Sequence, residues 1–287
     1  MQFWYTENHT PQVRLSLQVD KQLYSGKSEF QRIDVFESKE IGRFLTIDGF
    51  MMVTEKDEFI YHEMMVHVPM AVSGHIKNAL IIGAGDGGIV RELARYKNIE
   101  TIDLVEIDSL VIEVSKKYLP SIACCFDDKR VSVFNEDGSK FIKNVSDKYD
   151  LIIVDSTDPI GPGEGLFSND FYRDCFRALK SDGIMVNQHE SPFYNEDAVV
   201  AQRTHRRIAD VFPIAKVYQA HIPTYSSGHW LFGFASKKLH PTRDLDAAKW
   251  NALGIETQYY NTPLHIGSFA LPNYVLKLLK DDITLDK

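Results

Sequence analysis

The run Ala79-Leu80-Ile81-Ile82 passes directly into Gly83-Ala84-Gly85-Asp86-Gly87-Gly88, and Ile89 to Tyr96 then carries a helical pattern. No other feature restricts the possible folds as much. A short apolar run without polar alternation reads as a strand covered on both faces. The glycines behind it allow a tight turn from strand into helix. The same rhythm continues: Thr101 to Val105 reads as a strand, Leu110 to Tyr118 as a helix, and Arg130 to Phe134 and Leu151 to Val154 as further strands. Helices are expected over Phe171 to Leu179 and Val199 to Val211, with a strand at Ile184 to Asn187. Such alternation specifies a parallel sheet with helices on both faces. His221 to Ser236 reads as two more strands around a Tyr225-Ser226-Ser227-Gly228 turn.

The first part of the chain follows a different period. Val13 to Val19 alternates apolar and polar residues, and Phe30 to Glu37 gives another strand. Arg43 to Ile47 and Phe50 to Thr54 flank Asp48-Gly49, a strong signal for a two-residue hairpin. Near Asp57 the period becomes helical, with Ile60, Met64, Met65 and Val68 on one side of a helix over Phe59 to Val72. The expected division is a small antiparallel β domain over residues 1–56 and an α/β domain over 57–287.

Several classes of function are disfavoured. The 287 residues carry a formal net charge of −8, which weighs against nucleic acid or an anionic membrane as partner. No run of about 18 apolar residues occurs, so no membrane span is expected. The three cysteines show no CxxC spacing, and the start Met1-Gln2-Phe3-Trp4-Tyr5-Thr6-Glu7 lacks the basic and apolar regions of a signal peptide. A soluble cytoplasmic protein with reduced thiols is the expectation. His62-Glu63 with His67 imitates a metalloprotease helix, but a five-residue spacing sets the histidines about 140° apart at about 100° per residue. No metal site is expected.

The acids at the strand ends carry the chemistry. In open α/β sheets, ligands bind beyond the carboxyl ends of the strands. Gly83, Gly85 and Gly88 make a G-x-G-x-x-G, and Glu106 follows Gly88 by 18 residues at the end of the next strand, which taken alone is a dinucleotide fingerprint. Asp86 argues otherwise, because a carboxylate in that loop would face the pyrophosphate. A nucleoside without phosphates and with a positive group fits better, as in S-adenosylmethionine derivatives. Asp137-Gly138 is placed to reach an adenine, or forms an Asx turn or helix N-cap. Asp108 can cap the following helix, leaving Glu106 as the better ligand. Asp155-Ser156-Thr157-Asp158-Pro159 ends the Leu151–Val154 strand with a pair of acids suited to an alkylammonium. One of them can alternatively cap a helix, or one can take the amine's proton, since an amine with a pKa near 10 is mostly protonated at neutral pH. The Pro159–Gly165 segment reads either as a lid or as an ordinary surface connection. Gln188 lies at another strand edge. Tyr61, His62, Tyr225 and Trp230, taken singly, read as packing residues.

Taken together, Phe30-Gln31-Arg32-Ile33, Tyr61-His62-Glu63-Met64, the glycine loop, Val105-Glu106-Ile107-Asp108, Asp137-Gly138, Asp155 to Pro159 and Pro223-Thr224-Tyr225 make the chain resemble the polyamine aminopropyltransferases. The likeness runs from Phe3 to about Leu278. It implies an α/β fold, a Rossmann-like, methyltransferase-type doubly wound sheet with a small N-terminal antiparallel β domain. The implied reaction moves an aminopropyl group from decarboxylated S-adenosylmethionine, a co-substrate and not a bound cofactor, to putrescine, giving spermidine and methylthioadenosine. The resemblance makes Asp155 the proton acceptor, and assigns Asp86 to the donor's ammonium and Asp158 to the diamine's. It places Gln31, Gly83, Glu106, Asp137, Gly138 and Pro162 around the nucleoside. Tyr61, His62, Gln188 and Tyr225 would line the amine channel, with Trp230 at its far side, and the chain would form a homodimer or homotetramer. Histidine at position 62, where many relatives carry glutamine, implies a bacterial-type member. A methyltransferase on the same fold, or an inactive partner subunit, are the competing functions.

Overall fold

The computed structural model describes residues 2–156 and 165–280; Asp158 and Pro162 lie outside them. The chain begins with an antiparallel pair, β1 (Phe3–Thr10) and β2 (Val13–Val19). A four-stranded antiparallel meander follows, β3 (Lys21–Lys27), β4 (Arg32–Ser38), β5 (Gly42–Ile47) and β6 (Phe50–Thr54). Asp48 and Gly49 join β5 to β6 with φ of 50° and 86°, the positive pair that a type I′ hairpin needs. Ile33, Val35, Leu45 and Val53 of this meander pack against Val111, Val114, Leu119 and Ile122, so the β region rests directly on the α/β part.

Helix α1 (Glu58–Val72) is not the amphipathic helix expected. Every residue from Ile60 to Val72 is buried. Tyr61, His62, Glu63 and His67 therefore lie inside the protein, where polar groups need partners. The carboxylate of Glu63 accepts the N–H groups of Gln258, Tyr259 and Tyr260, each at 2.8 Å. His67 turns to the Tyr96 hydroxyl at 2.6 Å and to Glu92 at 3.1 Å.

Beyond α1 the elements are β7 (Asn78–Gly83), α2 (Gly88–Ala94), β8 (Thr101–Val105), α3 (Ser109–Tyr118), β9 (Val131–Phe134), α4 (Gly138–Ile142), β10 (Tyr149–Asp155), α5 (Asn169–Ala178), β11 (Leu179–Gln188), α6 (Asn195–Ala209), β12 (Ile214–His221) and β13 (His229–Ser236). The sheet order is β12-β13-β11-β10-β7-β8-β9. All pairings from β9 to β11 are parallel, and β13 is antiparallel to both of its neighbours. The expected sheet is therefore mostly, not wholly, parallel. The last strand pair also differs from expectation: its first strand precedes His221 instead of following it, and the Tyr225–Gly228 turn joins the two strands. Its first strand, Ile214-Ala215-Lys216-Val217-Tyr218-Gln219-Ala220-His221, mixes polar and apolar residues too irregularly to announce itself. Three short helices, α7 (Ala247–Ala252), α8 (Thr262–Ser268) and α9 (Asn273–Lys280), complete the described chain, with no counterpart in the sequence reading.

Side chains alternate across the sheet. Leu80, Ile82, Ile152, Val154 and Met185 face one core, and Ala79, Ile81, Leu151, Ile153 and Val186 face the other. Both faces are covered, which is why these runs are apolar throughout. Strand order reverses between β7 and β10, the point where such sheets open a crevice. There Gly83 pairs with Asp155. Gly83 has φ +84°, and a Cβ on it would sit 1.9 Å from the Asp155 carbonyl oxygen. No side chain fits. Gly83→Ala should destabilise the protein by about 3 kcal/mol or more, whereas Gly267→Ala, where a Cβ meets nothing, should have little effect. Denaturant melts of both variants check this, and equal midpoints would refute the close approach.

Candidate active site

Sheet register sets the site. Val105, Ile82, Val154 and Asn187 lie level on four neighbouring strands. The next residues, Glu106, Gly83, Asp155 and Gln188, therefore form one row at the mouth of the crevice. All four line a cavity of about 350 Å³, as do Gln31, Tyr61, His62, Asp86, Asp137, Gly138, Tyr225 and Trp230. This volume is in the range of small-molecule sites. Each of the predicted residues within the described chain thus reaches the same space.

On one side, Glu106 accepts the Asp108 N–H at 2.9 Å. Burial, with the charges of Asp108, Asp155 and Asp86, raises the Glu106 carboxyl to about 7 against that bond. Asp108 does cap α3, through the Leu110 N–H, and it also holds the β region by accepting from Ser28 Oγ at 2.7 Å and Gln31 Nε2 at 3.0 Å. Asp137 is a helix N-cap that also faces the cavity. It caps α4 by accepting the Ser139 N–H and hydroxyl, at 2.9 and 2.7 Å, and it lines the cavity.

At the centre, the Tyr61 hydroxyl donates a short hydrogen bond to Asp155 Oδ1. Burial first, then the charge of Asp86, pushes the Asp155 carboxyl up to about 7, although Tyr61 and His62 pull it down. Asp86 accepts the Gly88 N–H at 2.6 Å and lies 3.3 Å from His62 Nε2. Burial would raise its carboxyl too, but the His62 charge and these bonds win and hold it below the usual range. His62 reaches Glu58 with its other nitrogen at 2.5 Å. Its two carboxylate partners outweigh burial and raise the imidazole to about 10.

The far wall was only partly foreseen. Tyr225 stacks edge-on against Trp230 at 4.7 Å, and its hydroxyl donates to the Met52 carbonyl at 2.9 Å. Asp57 fixes this turn by accepting the Thr224 N–H at 3.0 Å. Gln188 Nε2 donates to Glu190 Oε1 at 2.8 Å. Glu7, His9, Glu190 and Asp197 also line the cavity, and none was singled out from sequence. His9 bridges Glu7 at 3.3 Å and Asp197 at 3.0 Å, which raises it to about 9. These partners come from β1 and α6, so no local pattern joins them. Among the described residues lining the cavity, ten are Asp or Glu and none is Lys or Arg. Such a wall repels phosphate and attracts cations. No group of three His, Cys, Asp or Glu side chains among the described residues is arranged to hold a metal ion. No helix among them is long and apolar enough to cross a membrane.

A sheet of this order with an acidic cavity at its switch point defines an α/β protein with a ligand site suited to a positively charged group. Residues 58–246 match the model of the spermine/spermidine synthase domain, and residues 3–55 that of the spermidine synthase tetramerisation domain. The chain is 65% identical to the polyamine aminopropyltransferase of Alkaliphilus oremlandii over 282 residues, covering 98% of this chain and 99% of that protein. It is 66% identical to that of Clostridium perfringens over 281 residues, with the same coverage. A crystal structure of a spermidine synthase in complex with the transition-state analogue AdoDATO superposes with a TM-score of 0.94 at 44% identity, covering 96% of this chain and 94% of that one. The spermidine synthase of Thermotoga maritima gives a TM-score of 0.93 at 43% identity, with the same coverage. The chain belongs to the spermine/spermidine synthase family and is an aminopropyltransferase of that family.

The acid pair has a consequence for stability. Asp155 titrates near 7 when folded and near 3.8 in its unperturbed form. Between those values the folded chain holds a proton that the unfolded chain has lost, so stability falls as pH rises through the window. Asp155→Asn should therefore stabilise the ligand-free protein at pH 8 by roughly 1–3 kcal/mol, with the gain gone near pH 4. Thermal melts at pH 4, 6 and 8 measure it. A gain independent of pH would rule out the raised carboxyl.

Proposed function

We propose that this chain transfers the aminopropyl group of decarboxylated S-adenosylmethionine to putrescine, giving spermidine and methylthioadenosine. One observation carries the reading: two acids at the switch point have environments that push their proton affinities apart, Asp86 held ionised and Asp155 raised to about 7. The ionised acid suits an ammonium that stays charged at neutral pH, and the other suits a proton that must be taken up near neutral pH.

In this reading the acceptor's nitrogen attacks the aminopropyl carbon next to the sulfonium. A C–N bond forms, the C–S bond breaks, and its electron pair neutralises the sulfur. The nitrogen's proton passes to Asp155, which Tyr61 orients through its hydroxyl. Asp86 holds the ammonium of the donor's propyl chain. The carboxylate of undecarboxylated S-adenosylmethionine would meet Asp86 instead, which disfavours methyl transfer. Gln31, Gly83, Glu106, Asp137 and Gly138 surround the nucleoside, and Tyr61, His62, Gln188 and Tyr225 the amines. The roles of Asp158 with the acceptor and Pro162 with the nucleoside rest on the family resemblance. Glu7 and Glu190, which also line the cavity, give a second ammonium its counter-charge, which favours a diamine acceptor. We take the chain to assemble as a homodimer or homotetramer. That reading is supported by the family model matched at residues 3–55 and by Phe3 and Trp4, exposed on β1 at 58% and 56%. A reducing cytoplasm suits its free Cys124, Cys125 and Cys175.

The test is product identification by mass spectrometry, with putrescine, cadaverine, agmatine and spermidine in competition and each donor supplied in turn. Spermidine and methylthioadenosine should dominate, and only with the decarboxylated donor. A methylated amine made from S-adenosylmethionine would overturn the reading. Asp155→Asn should lower kcat by roughly 10²- to 10⁴-fold while methylthioadenosine binding changes little. Unchanged turnover would remove Asp155 as the base.

A further inference from the structure

Four side chains run outward from the cavity with alternating charge. Asp86 Oδ1 lies 3.3 Å from His62 Nε2, and His62 Nδ1 lies 2.5 Å from Glu58 Oε2. Glu58 in turn receives two bonds of 2.8 Å from the Arg91 guanidinium. His62 is only 2% exposed. Its ring occupies the space beside Gly88, where a Cβ would sit 2.2 Å from Cε1 and Nδ1. The third glycine of the G-x-G-x-x-G therefore makes room for an imidazole. An imidazole can donate from both nitrogens, one to each flanking carboxylate, only when it is protonated.

The remaining charged or titratable groups around the ring come from three elements. Tyr61 on α1 meets it edge-on at 5.7 Å. Asp155 on β10 feels its charge through space. On α2, Arg91 stands behind Glu58 and is also bound to Glu92 at 3.0 Å. Burial alone would favour the neutral ring, and a neutral ring would leave Asp86, beside Asp155, compensated among the described residues chiefly by the more distant charge of Arg91. Two neighbouring buried carboxylates do not both stay ionised readily.

We infer that Glu58, clamped by Arg91, is a positioning residue for aminopropyl transfer: it keeps His62 protonated and turned onto Asp86, so that Asp86 stays ionised where the donor's amine binds. This rests on the role proposed for Asp86 above. Glu58 and Arg91 act through His62 and are not assigned any contact with the reacting atoms.

The experiment follows the His62 imidazole by NMR in ligand-free protein with labelled histidine, together with donor KM from pH 6.5 to 9. In the wild type the ring should stay protonated to about pH 9, and donor KM should vary little. In Glu58→Gln the ring should titrate below pH 8, and donor KM should rise roughly tenfold across the range while kcat at saturation stays within about threefold. Arg91→Met should lie between these extremes. Glu58→Asp should restore the flat profile, which separates loss of the carboxylate from misfolding. In a His62→Gln background, adding Glu58→Gln should introduce no new pH dependence. A ring that stays protonated to pH 9 in Glu58→Gln overturns the inference, as does the same pH-dependent KM in the double variant. Asp86→Asn tests the underlying role separately. If it leaves donor KM unchanged, that role fails; if it raises KM at every pH and Glu58→Gln does not alter the profile, only the present inference fails.

Discussion

Like charges brought together at one cavity are the constraint on which the rest of this structure depends. Asp155 ends β10 and pairs in register with Gly83, and Asp86 lies in the loop that follows Gly83 on the adjacent strand. Ionising both there costs on the order of a few kcal/mol, a large part of the 5–15 kcal/mol that stabilises a typical domain. The structure settles the conflict asymmetrically. His62 compensates Asp86, and among the described residues Asp155 keeps the hydroxyl of Tyr61 and the more distant charge of His62. One acid stays charged and the other is poised near neutrality. The division of roles proposed for them is a direct product of this asymmetry.

Holding the asymmetry in place takes most of the fold. A parallel register brings Glu106, Gly83, Asp155 and Gln188 level, and the absence of a side chain at Gly83 lets β10 and the glycine loop touch. Helix α1 must be buried on every side to carry His62 and Tyr61 into the crevice. Its remaining polar groups are satisfied elsewhere, Glu63 by three backbone N–H groups of the C-terminal segment and His67 by Tyr96 and Glu92. The β region closes the open side through Gln31 and Ser28 on Asp108 and through the Tyr225 bond to Met52. Helices that look peripheral, α7 and the segment before α8, therefore serve the site by anchoring α1.

What could be read from the sequence was what repeats locally. The strands of the parallel core follow from short continuous apolar runs, and the Asp48-Gly49 hairpin and the helix over residues 59–72 follow from turn chemistry and a period of 3.6. The row of acids follows because strand ends are where such sheets bind ligands. The irregular strand β12 and helices α7 to α9 escaped because their patterns are short and mixed. The burial of α1 escaped for a different reason: a helix with His62, Glu63 and His67 looks amphipathic until distant partners for those groups are known. Likewise the Glu7–His9–Asp197 bridge joins residues 188 positions apart, and nothing at either end announces the other. Neither Glu58 nor Arg91 stands out in the sequence. Their meaning depends on the imidazole between them.

The same electrostatics connects ligand choice to stability. An empty acidic cavity is a destabilising arrangement, because Asp155 and Glu106 both sit above their ordinary range and lose protons only at a cost. A ligand that brings positive charge lowers that cost as it binds, so part of its affinity comes from relieving strain already present in the protein. An anionic group at the same place would add to the strain. Under the proposed function, selectivity between a donor that has lost its carboxylate and one that retains it then needs no dedicated recognition element. It follows from a wall with ten carboxyl side chains and no lysine or arginine among its described residues. His62 sets the limit on this strategy: it neutralises enough charge for the fold to persist, and its burial keeps that charge from filling the space meant for the substrate.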